Sequence, residues 1–411
     1  MLTEKEKLDA LARLGIDLSQ IHDLDILMER ILMDARRFVN ADAGSIYIRD
    51  KDILHFTYTQ NDTLQKRLST GEKLIYSTFS IPINEKSMAG YVVDSGQPLN
   101  LPDVYKIDST KPYRFKKEID EDSHYKTNSA LTIPLINYSD DILGVLQIIN
   151  AKDEQARTIA FSEKDEKMML HFASIAAVAL GRAQMTRALL LRMIRMAQMR
   201  DPKETGAHVN RVGGYAVEIY ERWAVRRSFP RKEIDRNRDV FRMAAMLHDV
   251  GKIAISDLIL KKPGRLSPEE YEIMKKHTVL GAQLLQDSQS DFDDAAAEVA
   301  LNHHERWDGD GYPGHVDIVT GNALKGFQRS DGSAAGKSGE EIPIYGRIVA
   351  LADVYDALSS DRVYKKAWNE AEVLSKIEEN SGGHFDPELI EIFFESLDLL
   401  RSIQKRYADE D

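Results

Sequence analysis

The chain has 411 residues, enough for two or three domains, and its 43% apolar and 30% charged residues are an ordinary globular balance. A formal net charge of -12 disfavours a general nucleic-acid surface, while a small phosphate substrate stays compatible with local lysines or bound cations. With no cysteine anywhere, disulfides, thiolate catalysis, cysteine-ligated zinc or iron–sulfur clusters and thioether-linked chromophores are excluded. The N-terminal MLTEKEKLDALARLG is charged and amphipathic, without a long apolar signal segment. No run of 18 apolar residues free of charge occurs, so a cytoplasmic protein with no membrane span is expected.

In chain order, residues 1–23 read as an N-terminal helical segment and LDILMERILMDARRFV (24–39) as an amphipathic helix. Ser45–Ile48 and Leu54–Tyr58 read as strands joined by the polar turn 49–52. Ser87 to Val93 reads as a short helix ended by Asp94-Ser95-Gly96. Ala130–Ile136 and Ile142–Ile149 read as a hairpin around Ser139-Asp140-Asp141. Strands flanked by helices on one side point to an α+β sensory-type fold. From Phe161-Ser162 a helical pattern runs to about Arg200, with Ser162 as cap and Asp165 in the first turn. Leu189, Met193 and Met196 lie at four- and three-residue spacing, as the seam of a parallel homodimer requires.

From 201 the chain is strongly helical. Glu204 and His208 share one helix face, with Val212, Tyr215, Ala216 and Ile219 on the other. The segment RRSFPRKEIDRN (226–237) reads as a charged connection, and Asp239–Leu247 as a buried helix delivering His248-Asp249, with Gly251 permitting a break. Ser267-Pro268-Glu269-Glu270 is a helix start, and that helix is expected to carry His277. A helix over 295–302 ends in His303-His304. Adjacent helical residues point about 100° apart, so both imidazoles reach one ion only where the helix ends or frays. Five of the eleven histidines fall between 208 and 304, and Asp353 follows in IVALADVYDALSS. Imidazole nitrogen and carboxylate oxygen together suit iron, manganese, zinc, cobalt or nickel.

Residues 24–183 resemble a GAF domain, through Ala41-Asp-Ala-Gly-Ser-Ile-Tyr47, the Gly90 helix and the closing strand with Leu143-Gly144-Val145. Asn150, Lys152, Phe161, Asp165 and Glu166 match the signature of nucleotide-binding members in residue type, but the Lys152–Phe161 spacing departs from it. These five are therefore assigned to holding the fold through a Lys152–carboxylate pair. The resemblance implies a dimerising sensor, with a small ligand of unknown identity or none.

Residues from about 195 to 398 resemble the HD-GYP branch of the HD phosphohydrolases. The motifs are His248-Asp-Val-Gly-Lys252, His303-His-Glu-Arg-Trp-Asp-Gly-Asp-Gly-Tyr-Pro-Gly314, Asp353-Val-Tyr-Asp-Ala-Leu358, Asp361-Arg-Val-Tyr-Lys365 and Gly383-His-Phe-Asp-Pro387. The resemblance implies an α+β GAF-like sensor domain joined by a long helix (184–200) to an all-α HD-GYP domain (201–411). It implies one metal held by His208, His248, Asp249 and Asp353. A second would be held by His277, His303 and His304 with Asp249 bridging, and Glu204 would admit a third. The implied cofactor is two or three transition-metal ions, iron first and manganese next. Asp249 and Lys252 are the implied catalytic residues, and Lys252, Tyr312, Arg362 and Lys365 the implied substrate contacts. The implied substrate is cyclic di-GMP, cleaved to pGpG and then GMP. Two rival classes are a hydrolase of another cyclic dinucleotide or nucleotide, and a noncatalytic binding protein. The family's Gly-Tyr-Pro-Gly loop usually runs quickly into Lys-Gly-Glu-Glu-Ile-Pro. Here residues 315–336 intervene and read as a mobile flap or insertion, rich in Gly, Ser and Ala.

Overall fold

In a computed structural model the chain divides into two units, Met1–Arg187 and Ala188–Asp411. The structure describes residues 3–67, 80–198, 205–360 and 368–408. The first unit runs α1 (Glu4–Ser19), α2 (Leu24–Phe38), β1 (Ala41–Asp50), β2 (Ile53–Asn61), α3 (Asp62–Gln65), β3 (Ser80–Pro82), α4 (Met88–Ser95), β4 (Leu99–Leu101), α5 (Glu118–Ser123), β5 (Ala130–Ile136), β6 (Ile142–Lys152), β7 (Thr158–Ile159) and α6 (Glu163–Gln198). The unit boundary falls within α6.

The strands form one antiparallel sheet in the order β3-β2-β1-β6-β5-β4, with β7 on β6. Its side chains alternate between two apolar layers. Ile46, Ile133, Leu146 and Ile148 face a core shared with α1, α2 and α6, including Leu14, Leu18, Ile31 and Phe172. Tyr47, Ala130 and Val145 face the other way, onto Met88, Val92 and Val93 of α4. The sheet therefore carries helix on both faces, not on one as the strand pattern suggested, because its central strands are apolar on both sides. The α4 caps follow the sequence: the Ser87 side chain accepts from Gly90 N, and Gly96 ends the helix with φ +66.

The five signature-like residues hold this unit together. Lys152 pairs with Asp42, whose carboxylate also accepts from Thr63 Oγ1 (2.6 Å) and Tyr125 OH (2.8 Å). Asn150 donates to Tyr125 OH at 2.9 Å and accepts from Asn128 N at 2.7 Å. Phe161 lies in the core, Asp165 accepts from Lys7, and Glu166 accepts from Asn100.

The second unit is helical: α7 (Gly206–Arg226), α8 (Arg231–Ala245), α9 (Asp257–Leu260), α10 (Pro268–Lys275), α11 (His277–Leu284), α12 (Asp291–Asn302), α13 (Ile344–Ser359), α14 (Glu370–Glu379), α15 (Pro387–Glu395) and α16 (Leu397–Arg406). Val212, Tyr215, Ala216 and Ile219 of α7 are fully buried in its core. Two boundaries differ from the sequence reading. The charged stretch after Pro230 is the first half of α8, since Ile234 and Phe241 share a buried face, while Glu221 neutralises Arg231 (2.7 Å) and Arg238 (3.4 Å). His277 opens α11 instead of ending α10. Its Nδ1 takes the Met274 carbonyl at 2.7 Å, a group that an unbroken helix would bond to the amide of Thr278.

Residues 315–336 are folded. Bridges pair Val316 with Ala323 and Gln328 with Ala334, His315 stacks on Phe327 at 3.8 Å, and Gln283 of α11 donates to the carbonyls of Ile318 and Val319. The expected flap is thus a pinned meander, since Val316 and Ile318 bury against Val279, Ala282 and Leu301.

Burial opposes ionisation of Asp42, but Lys152, Thr63 and Tyr125 outweigh it and lower its pKa. A depressed folded pKa gives stability that is complete above the unfolded value, about 3.9, and lost as pH falls through the folded value. Asp42→Asn is expected to lower stability by about 2 kcal/mol at neutral pH, discounted because Lys152 is partly exposed. Denaturant titrations should show the gap to wild type narrowing below about pH 4; a gap independent of pH would contradict the ionic role.

Candidate metal centre

Helix ends deliver most of the site. His208 lies in the first turn of α7, where the Thr205 cap accepts from its amide at 3.1 Å. His248 and Asp249 lie in the turn after α8, followed by a 3-10 turn over Val250–Ala254. His277 begins α11, while His303 caps α12 and His304 follows it. Asp353 is mid-helix in α13. The helix ends at His303-His304, which is where two adjacent rings can converge. Gly251 serves a close approach more than a break: a Cβ there would overlap the carbonyl oxygen of His277 and the amide of Gly281. This contact sets the turn bearing Asp249 directly against α11.

Two donor groups result. Asp249, His277, His303 and His304 form one, and His208, His248 and Asp353 the other, with ligand atoms in each group within 4.8 Å of one another. Asp249 faces both. Its Oδ1 is 3.1 Å from His277 Nε2 and 3.6 Å from His303 Nε2, and its Oδ2 is 3.4 Å from His248 Nε2. Asp353 Oδ1 is 3.7 Å from His208 Nε2 and 3.9 Å from His248 Nε2.

The outer nitrogens fix the protonation pattern. Nδ1 of His248 meets the Ala245 carbonyl at 2.9 Å, that of His277 the Met274 carbonyl at 2.7 Å and that of His303 the Ala300 carbonyl at 3.0 Å. His208 Nδ1 meets the Asp356 carboxylate at 2.9 Å. A carbonyl or carboxylate only accepts, so each Nδ1 carries a proton and each Nε2 is turned inward. Burial keeps His303 neutral although Asp249 opposes it, and burial with the neighbouring imidazoles holds His304 well below its usual range. His277 Nε2 and His303 Nε2 face each other at 3.5 Å. Asp249 Oδ1, fully buried, accepts no hydrogen bond there. Burial resists ionisation of Asp249, yet the Lys252 ammonium, 2.6 Å from Oδ2, and His248 keep its carboxyl well below the usual carboxylate range. Converging lone pairs and an ionised carboxylate in a dry interior fit divalent cations. HD domains carry such ions, and these clusters have the donor types to hold them.

Tyr312 lies beside the first of these groups, its ring stacked on His304 at 4.8 Å and its amide donating to the His304 carbonyl at 3.1 Å. The Lys275 ammonium is 5.4 Å from the same ring. Glu204, Arg362 and Lys365 fall outside the described residues. Sequence reasoning missed Asp356, Arg211 and Glu305. Asp356 and Arg211 stand three residues beyond Asp353 and His208 on the same helix faces, which was the available signal. Glu305, next to His304, accepts from Gly314 N at 2.5 Å and Lys337 N at 3.2 Å and so closes the loop bearing Tyr312.

Comparison with known proteins matches a GAF domain model to residues 23–180 and HD domain models to 205–358 and 328–389. The chain is 36% identical over 207 residues to 3'3'-cGAMP-specific phosphodiesterase 2 of Vibrio cholerae serotype O1, covering 50% of this chain and 34% of that protein. It is 33% identical over 288 residues to a cyclic di-GMP phosphodiesterase of the same organism, covering 69% and 50%. It is 39% identical over 216 residues to a cyclic di-GMP phosphodiesterase of Thermotoga maritima, covering 53% and 50%. The chain thus spans half or less of the length of these relatives. Among the described residues no helix is long and apolar enough to cross a membrane. A metal-fitting centre built by α7, α8, α11, α12 and α13 and an antiparallel sheet unit earlier in the sequence agree with the matched models, and the chain carries a GAF domain followed by an HD domain.

Proposed function

We propose that the chain is a metal-dependent phosphodiesterase that hydrolyses cyclic di-GMP under the control of its GAF unit. One observation carries the reading: two buried groups of inward-turned imidazole nitrogens share one carboxylate, with Asp249 Oδ1 turned to one and Oδ2 to the other. His208, His248 and Asp353 would hold one ion, and His277, His303 and His304 a second, with Asp249 between. Bound there, such ions neutralise a phosphodiester and lower the pKa of a water. Iron is the first expectation and manganese the second. Glu204 would add a donor for a third ion.

The remaining residues position substrate. Lys252 sits one turn from Asp249 and can offer its ammonium to a non-bridging phosphate oxygen as a charged donor. Tyr312 offers a ring face or hydroxyl beside His304, and Arg362 and Lys365 would contact the phosphates. A second reading has a specific motive, since one relative's name specifies 3'3'-cGAMP and two others cyclic di-GMP. Identical phosphodiester chemistry serves both. Dimerisation is part of the proposal too: Leu189, Met193 and Met196 on α6 are 48%, 48% and 61% exposed, as an unpartnered seam would be.

Elemental analysis of metal-replete protein is expected to give two to three ions per chain, falling with Glu204→Ala if that residue holds the third. Asp249→Asn should abolish hydrolysis, since it removes the charge facing both groups; a metal-loaded variant with undiminished turnover would refute the shared-carboxylate role. A panel of cyclic di-GMP, 3'3'-cGAMP and mononucleotides tests the substrate, with cyclic di-GMP expected to turn over fastest.

The product course follows from charge. Ring opening turns one of the two diesters into a terminal monoester of about -1.5 to -2. A third cation would bind it and allow the second cleavage, so chromatography should show pGpG rising and then giving way to GMP. Indefinite accumulation of pGpG in iron- or manganese-replete enzyme would contradict this.

A further inference from the structure

The first turns of α7 carry a buried polar chain that leads from His208 to the C-terminal end of α16. Asp356 is 1% exposed and Arg211 2%. Asp356 Oδ2 accepts from His208 Nδ1 at 2.9 Å. Arg211 grips the same carboxylate with two prongs, Nε to Oδ1 at 2.6 Å and Nη2 to Oδ2 at 2.9 Å. Its Nη1 donates to the backbone carbonyl of Tyr407 at 2.8 Å. Tyr407 caps α16, so this carbonyl is one of those that a helix end leaves without an intrahelical partner. Arg242 Nη2 donates to the Tyr407 hydroxyl at 3.2 Å. The seat of α16 is close: a Cβ on Gly214 of α7 would stand 2.8 Å from Ile403 Cγ2.

We propose that Arg211 and the Tyr407 carbonyl form a latch by which the C-terminal helix positions His208 for metal binding. Arg211, Asp356 and the end of α16 are positioning residues; none of them needs to touch substrate. The proposal rests on the metal reading of the site.

The physical chain is short. Asp356 accepts the His208 Nδ1 proton and so orients the ring with Nε2 toward Asp353. A buried carboxylate holds one orientation only while its charge is matched, and the two-pronged guanidinium supplies both charge and direction. Arg211 in turn keeps its plane because the Tyr407 carbonyl accepts from Nη1. Displacing α16 would take the Tyr407 carbonyl away from Nη1 and loosen the hold of Arg211 on Asp356. In the other donor group His277 and His303 are oriented by backbone carbonyls, those of Met274 and Ala300, and not by a carboxylate. The latch should therefore act on one group alone.

The test uses the full chain, Asp356→Asn, Arg211→Lys and a chain ending at Arg406, which lacks the latch carbonyl. Manganese titrations followed by electron paramagnetic resonance are expected to show one ion weakened about 10- to 100-fold in Asp356→Asn and in the shortened chain, with another ion bound as in wild type. Arg211→Lys, keeping charge without the fork, should lie between. Nitrogen spectra of metal-free, histidine-labelled protein should show His208 losing its pure Nδ1–H form in the same variants. Unchanged affinities and spectra would overturn the latch. Equal weakening of every ion together with a lost unfolding transition would overturn it too, marking a merely structural ion pair. Wild type that binds no divalent ion would instead defeat the metal reading, while the nitrogen spectra would still judge the latch.

Discussion

Asp249 is the constraint on which the second unit depends. Its carboxylate is buried and ionised, and its oxygens address separate clusters of imidazole lone pairs. An arrangement like this is unfavourable by itself, because a dry carboxylate wants a cation. The surrounding helices are arranged around that requirement. Those of α8 and α12 stop, and that of α11 starts, where a ligand side chain must enter the interior. The backbone carbonyls freed at those points take the outer Nδ1 protons. Termination of the helices and orientation of the rings are therefore one event: the carbonyl left over by a broken helix is what aims the imidazole.

Much of this was legible in the sequence, and the reason is local. His303-His304 demanded a helix end, and the end is there. Ser267-Pro268-Glu269-Glu270 demanded a start, and a capping box forms with Ser267 and Glu270. Grouping the histidines needed only their crowding between 208 and 304, whereas dividing them into two sets came from family likeness. What stayed hidden depends on partners far along the chain. Asp356 takes its meaning from Arg211, 145 residues away, and Arg211 from Tyr407, 196 residues away. No period of 3.6 or 2.0 encodes such contacts. The start of α8 was missed for a related reason: its charged face looks like a loop until Glu221 of α7 is seen neutralising it. Gly251 was noticed for the break it permits but not for its close approach, since the backbone it lies against belongs to another helix.

The first unit teaches the complementary lesson. Asn150, Lys152, Phe161, Asp165 and Glu166 could be read either as ligand contacts or as scaffold, and the broken spacing after Lys152 favoured scaffold. Lys152 turns to Asp42 and Asn150 secures Tyr125 to the same carboxylate, so their polar groups are committed to the strand ends. The sheet's two-sided burial was harder to see. Alternation shows which residues share a face, but a strand apolar on both faces reads the same whether one or both are covered by helix.

The long excursion at 315–336 shows how a site tolerates an insertion. Glu305 accepts from Gly314 N at one end of the excursion and from Lys337 N at the other. One carboxylate therefore closes the base, and the loop bearing Tyr312 is held independently of how much chain lies beyond. Closure entropy grows only slowly with loop length, so extra residues cost little once the ends are fixed. Burial pushes the Glu305 carboxyl up and the Lys337 ammonium down, and the attraction between the two offsets part of both shifts. That pairing explains why the base sits in the interior while the excursion itself reaches outward, folding on Gln283 and the apolar ends of α11 and α12. Its sequence reads as flexible because it is rich in Gly, Ser and Ala; its fold comes from contacts with α11 and α12 and from where its ends are held.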